Sequence, residues 1–169
     1  MVKTNIMISN KLILGVKLCK TTLFLLICFM HVKTWACTCV GENTIQEEIK
    51  QSDYIFAGKI ISKNIFIVND TNLPSGFLMK QVEYTILAVK IYKGKTSNDT
   101  IRLVTGLGNG DCGYEFAVGL KYIIYSVYSN KYFAHGNNVA PFLYTNICTR
   151  TKRIHNKELK KLKRYFKMT

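Results

Sequence analysis

The sequence predicts a mainly β domain: a small closed barrel of five strands with flanking α-helices and an N-terminus stapled by disulfides. Three observations point to it. Five stretches rich in β-branched and aromatic residues are separated by turn signals, too few for two packed sheets. Helical patterns bracket them at either end. Four cysteines remain once an N-terminal leader is set aside, two of them one residue apart. The length of 169 residues favours one domain, and a chain that is 48% hydrophobic with 2 Pro is neither disordered nor collagen-like.

The first 36 residues read as an address. Lys3, Lys11, Lys17 and Lys20 form a basic region without acids, and Thr21 to Met30 is an apolar run too short to cross a bilayer. Thr34-Trp35-Ala36 then offers a small residue before Cys37. This is the pattern of a secretory signal peptide over 1–36, cleaved after Ala36, with a domain over 37–169. A buried N-terminal helix is the competing reading. Removing the leader changes the charge argument. The nominal +14 falls to +9 over 37–169, and residues 150–167 carry nine cations against Glu158 alone. The body is nearly neutral, so a whole-domain nucleic-acid surface is not supported.

The elements follow in order. Thr44-Ile45-Gln46-Glu47 is a capping box opening a two-turn helix over 44–51. Asp53 to Ser62 is a strand, and residues 63–80 are a polar connection containing Asn69-Asp70, Pro74 and Gly76. Gln81 to Tyr92 alternates Val82, Tyr84, Ile86 and Ala88 on one face, with Lys93-Gly94 closing it. Thr100 to Thr105 is a third strand. Gly106 to Gly113 is a glycine-rich loop pinned by Cys112. Lys121 to Tyr128 is a fourth strand, and a fifth lies in 132–134 or 143–147. Asn156 caps a final helix, with Leu159, Leu162 and Phe166 on one face and cations on the other. Helices at both ends of the domain are expected to cover the barrel openings.

Cys37, Cys39, Cys112 and Cys148 are an even number in an exported chain, which favours disulfides. A bridge within Cys37-Thr38-Cys39 would be a strained ring. Two pairings remain, and both staple the N-terminal pair to distant segments. A zinc site is the competing use, but the paired C-x2–4-C spacing of structural zinc is absent.

No catalytic constellation stands out. The glycine-rich loop lacks the P-loop and dinucleotide-binding patterns. His135 and His155 read as solvated, and Asp53, Glu83, Asp111 and Glu115 have no spacing that pairs acid with base. Asn69-Asp70-Thr71 and Asn98-Asp99-Thr100 are glycosylation sequons in predicted loops. The basic tail, with Lys157, Lys160, Lys161, Lys163 and Arg164, is either a polyanion-binding surface or a solvated helix face.

Cys37-Thr38-Cys39-Val40 at the cleavage site resembles the mature N-terminus of the tissue inhibitors of metalloproteinases. Three further stretches agree in order: Asp53 to Lys59 with the family's first strand, Lys90-Ile91-Tyr92-Lys93-Gly94 with the end of its second, and Cys112-Gly113-Tyr114 with its C-G-Y. The match covers the family's inhibitory domain. It implies a five-stranded OB-like closed barrel of the netrin-like class, with bridges Cys37–Cys112 and Cys39–Cys148. The chain departs from the family in three ways. The Cys pair joining the first helix region to the chain's end is absent, the family's separate C-terminal domain has no counterpart, and Gly41 stands where a Pro often follows the Val.

The resemblance implies a secreted, extracellular inhibitor of a zinc metalloproteinase of the metzincin type, with no cofactor of its own and no enzymatic activity. Cys37 would chelate the protease zinc through its α-amine and carbonyl oxygen. Thr38 would point into the S1′ pocket, and Cys39 and Val40 would run along the primed subsites. The alternatives are a non-inhibitory netrin-like module binding heparin-like polyanions, and a lipoprotein acylated on Cys37. A bacterial source would make the protein periplasmic or lipid-anchored.

Overall fold

The computed structural model describes Cys37, Cys39, Gly41, residues 43–108 and residues 110–168. The predicted signal peptide, Thr38 and Val40 lie outside the described residues. Helix α1 spans Ile45–Gln51, and its capping box is complete: the Glu47 N–H donates to the Thr44 hydroxyl at 3.3 Å, and the Thr44 N–H donates to the Glu47 carboxylate at 2.8 Å. Six strands follow: β1 (Tyr54–Ile67), β2 (Lys80–Lys93), β3 (Thr100–Thr105), β4 (Lys121–Ser129), β5 (Phe142–Tyr144) and β6 (Lys152–Arg153). Helix α2 spans Asn156–Met168.

The strands pair in the order β1-β2-β3-β5-β4-β6, and a further β1–β4 pairing closes the first five into a ring. β3 and β5 run parallel, with Leu103 opposite Leu143. The other pairings are antiparallel. Alternation along each strand sorts side chains to two faces. Phe56, Ile60, Val82, Tyr84, Ile86, Leu103 and Ile124 form one core, completed by Phe116 and Leu143. The residues between them, Ile55, Ile123 and Tyr125, face the other way and form a second core with Ile49 of α1 and Leu162 of α2.

Four sequence expectations need correction. β1 does not stop at Ser62: residues 63–67 continue it and pair with 80–84, Ile65 opposite Val82, so the connection is 68–79. The polar Lys63-Asn64 step hides a strand that Ile65, Phe66 and Ile67 resume. The helices do not cover the ring's openings; both pack on the outer face of β1 and β4, where the second core needs them. The cap of α2 is His155, whose carbonyl accepts from the Leu159 N–H at 3.2 Å and whose Nδ1 accepts from the Lys157 N–H at 3.2 Å. Asn156 is the first helical residue. The short β6, paired with β4 through Tyr122 and Ile123, was too brief to carry a pattern.

Gly94 ends β2 with φ +93°, in the left-handed region, and a Cβ there would fall into the Tyr54 ring. The neighbouring Lys93 Nζ donates to the carbonyls of Ile49 and Ser52, tying β2 to the end of α1. Gly94→Ala is expected to cost about 2–4 kcal/mol from backbone strain and overpacking together. Urea unfolding checks it, through a lower midpoint with an unchanged m-value.

Candidate functional site

The candidate site is the segment holding Cys37 and Cys39. Both residues are half-buried, and each is bridged to a different turn. Cys37 joins Cys112 with 5.4 Å between Cα atoms, and Cys39 joins Cys148 with 5.2 Å. The bridges span 75 and 109 residues, so in a chain-entropy picture either alone is worth about 4–5 kcal/mol. The second adds less, because the first already holds its neighbour. What the second adds is orientation: one staple leaves a segment free to pivot, and two in three residues fix its direction.

The turns that receive the bridges are held in their own right. Asp111, just before Cys112, accepts backbone N–H groups from Leu107 at 2.6 Å, Gly108 at 2.8 Å and Gly113 at 3.0 Å. Partial burial pushes the Asp111 carboxyl up, but the N–H bonds from Gly113, Leu107 and Gly108 outweigh it and hold the carboxyl below its ordinary range. The loop closes so tightly that a Cβ on Gly113 would collide with the Gly106 backbone, and one on Gly106 with the Asp111 carboxylate. Cys112 itself has φ +59°. On the other turn, Asn146 Oδ1 accepts the Cys148 N–H at 2.9 Å. The Ile147 N–H donates to the Cys112 carbonyl at 2.9 Å, so the two receiving turns are bonded to each other.

A buried polar cluster holds the chain that leaves the site. Arg150 donates from Nε and Nη2 to the two carboxylate oxygens of Glu158, both at 3.0 Å, and from Nη1 to the Asn43 carbonyl at 2.8 Å. The Tyr125 hydroxyl also donates to Glu158, at 3.0 Å. Asn43 Nδ2 donates to Glu48 at 2.9 Å. Burial raises the Glu158 carboxyl, but hydrogen bonds from Arg150 and Tyr125 and the charges of Arg150 and Lys152 bring it below its ordinary value. Burial, with the Glu158 charge beside it, pushes the Tyr125 phenol far up, so it remains a donor. The Thr145 hydroxyl lies 3.0 Å from those of Thr149 and Thr151, and Thr145 and Thr151 both donate to the Tyr125 carbonyl of β4.

Of the sequence-predicted site residues, Cys37 and Cys39 are bridged to Cys112 and Cys148. Lys157, Lys160, Lys161, Lys163 and Arg164 are exposed on α2. The four carboxylates weighed as acid–base partners do not converge: Asp111 clamps its loop, Asp53 accepts the Tyr128 N–H at 2.8 Å, Glu115 pairs with Lys63 at 3.7 Å, and Glu83 lies on β2 opposite Val104. Among the described residues no group of three or more His, Cys, Asp or Glu is placed to hold a metal ion. The structural roles of three residues escaped the sequence reading. Arg150 and Glu158 were counted in the basic tail, yet both are largely withdrawn from water. Asp111 carried a usable signal, an Asp among glycines beside a Cys, the composition of a side-chain-stabilised turn.

A family model described as tissue inhibitor of metalloproteinase matches residues 35–157, most of the chain. No curated protein matches it at a significant level.

Glu158→Gln would leave Arg150 buried without its counter-ion and is expected to cost about 3 kcal/mol at neutral pH. A carboxyl held low in the fold stabilises it fully above its ordinary value of 4.5, and that contribution is lost as pH falls through the depressed folded-state value. The gap between wild type and variant should therefore be full at pH 7 and close under acid, as read from urea midpoints across pH.

Proposed function

The chain belongs to the tissue inhibitor of metalloproteinase family, and on that premise we propose that its N-terminal Cys37 inhibits a metzincin-type protease by chelating the catalytic zinc. The family inhibits metalloproteinases and is not enzymatic, which sets the general function. The observation that carries the finer reading is the double staple, which holds Cys37 and Cys39 against two mutually bonded turns.

In this reading the leader is removed after Ala36 during secretion, and Cys37 becomes the first residue of an extracellular domain spanning 37–169. Disulfides belong to such an oxidising compartment. The ring of strands is read as an OB-like, netrin-like barrel whose role is to present this edge. A catalytic protease zinc keeps one coordination position for water. The α-amine and carbonyl oxygen of Cys37 form a bidentate N,O pair suited to displacing that water. The amine must be neutral to donate, which an α-amine of ordinary pKa about 8 achieves at little cost beside a dication. Thr38 then enters the S1′ pocket while Cys39 and Val40 follow the primed subsites. Because the bridges order the segment beforehand, binding does not have to supply that entropy.

The family's third bridge, from the first helix region to the chain's end, is absent here. Arg150 makes an equivalent connection by other means, reaching from Glu158 on α2 to the Asn43 carbonyl before α1. That polar tie supports retention of the inhibitory geometry without the third pair of cysteines.

A second reading rests on α2, where Lys157, Lys160, Lys161, Lys163 and Arg164 are exposed while Leu162 is fully buried. Such a face suits a heparin-like polyanion. Replacing the four lysines by Gln should reduce retention on heparin and flatten its salt dependence; unchanged retention would leave the face as a solvated helix surface.

The inhibitor reading is tested by adding one Ala before Cys37 in the mature protein. The extension turns the amine into an amide nitrogen, a very poor donor, and puts atoms where the zinc must sit. Inhibition of a metzincin should vanish with far-UV CD and melting temperature unchanged. Thr38→Gly should weaken inhibition by only about 1–3 kcal/mol, since it empties one pocket. Equal inhibition by the extended form would contradict the reading.

A further inference from the structure

A cavity of about 430 Å³ opens between the 95–96 turn, β3 and the start of β5. None of its lining residues belongs to the Cys37–Gly41 segment or to the turns that hold it. Its volume falls in the range of small-ligand sites, roughly 300–1,000 Å³.

One wall is aromatic. Tyr132 and Phe142 stack with ring centroids 4.8 Å apart and 19° between planes, and Phe66 meets Tyr132 edge-on at 5.5 Å. The three rings brace one another, and Tyr128, 56% exposed, adds a fourth ring to the lining. The opposing chemistry is cationic. Arg102 and Lys95 line the cavity, are exposed, and form no ion pair among the described residues. Glu83 also lines it, so the local balance is a single positive charge.

A buried polar group also lines the cavity. Tyr54 lines the cavity and is only 3% exposed, and its hydroxyl meets the side chain of Thr96. Buried polar groups are nearly always paired. Thr96, also in the lining, accepts the Asn98 N–H at 3.1 Å and donates to the Asn98 carbonyl at 3.2 Å, which leaves its second lone pair for the Tyr54 hydroxyl.

We propose that this cavity is a binding site for a small organic monoanion with a planar apolar body, an aromatic carboxylate in chemical class. The guanidinium of Arg102 matches a carboxylate in two-point geometry, with Lys95 adding charge. The ring shelf takes the planar body. Glu83 argues against a polyanion, which separates this site from the cationic face of α2. The site stands independently of protease inhibition.

The test is a titration of the purified protein with 2-naphthoate, followed by ¹H–¹⁵N correlation spectra. Saturable shifts confined to the 95–96 turn, β3, Tyr128 and Phe142 are expected. The double variant Lys95→Gln, Arg102→Gln should bind about tenfold more weakly or worse, with an unchanged melting temperature because both side chains are exposed and unpaired. The neutral naphthalene-2-carboxamide should bind the wild-type protein more weakly than the acid. Absence of saturation, shifts centred elsewhere, or equal binding of acid and amide would each overturn the proposal.

Discussion

The proposed inhibition depends on the segment holding Cys37 and Cys39 being unable to move. The ends of chains fray unless something ties them down. Here Cys37 and Cys39 are covalently held by two turns that come from distant parts of the sequence. Those turns are bonded to each other by the Ile147 N–H and the Cys112 carbonyl, so the staples share one foundation. Asp111 stiffens one turn and Asn146 the other. The ring of strands brings the two turns together: Cys112 follows the end of β3 and Cys148 follows β5, and β3 and β5 are the one parallel pair among the described strands.

The second constraint is the Arg150–Glu158 pair. Isolated buried ion pairs are a poor source of stability, because desolvation offsets the attraction. Their usefulness lies in specificity, and this pair is satisfied from several directions. Glu158 receives Arg150 twice and the Tyr125 hydroxyl once, while Arg150 has a further acceptor in the Asn43 carbonyl. The effect is to lock α2, β4 and the chain before α1 into one arrangement. The same elements share the second apolar core, so polar and apolar contacts select the same packing.

How much of this was legible in the sequence varied with the physics involved. The alternation of Val82, Tyr84 and Ile86 reported β2 correctly because one face of that strand is buried and the other is not. The capping box at Thr44 was visible because its partners are three residues apart. β1 was cut short because residues 61–67 leave the ring and lose the alternation that marks a half-buried strand, although they still pair with β2. Glu158 looked like an ordinary tail acid, since its burial depends on Tyr125 and Arg150, which only the fold brings near. Residue arithmetic left two disulfide pairings open, and the choice between them came with the family resemblance. Thr38 and Val40, which only the family resemblance singles out, lie outside the described residues.

The central claim is that the Cys37 amine and carbonyl occupy the metal of the target protease. The most direct measurement is the visible absorption spectrum of a metzincin catalytic domain carrying Co²⁺ in place of zinc, titrated with the mature protein beginning at Cys37. The account predicts that the ligand-field bands change stoichiometrically as an N,O pair replaces the bound water, and that a hydroxamate no longer binds the metal. A complex that forms while leaving the cobalt spectrum unaltered would contradict it.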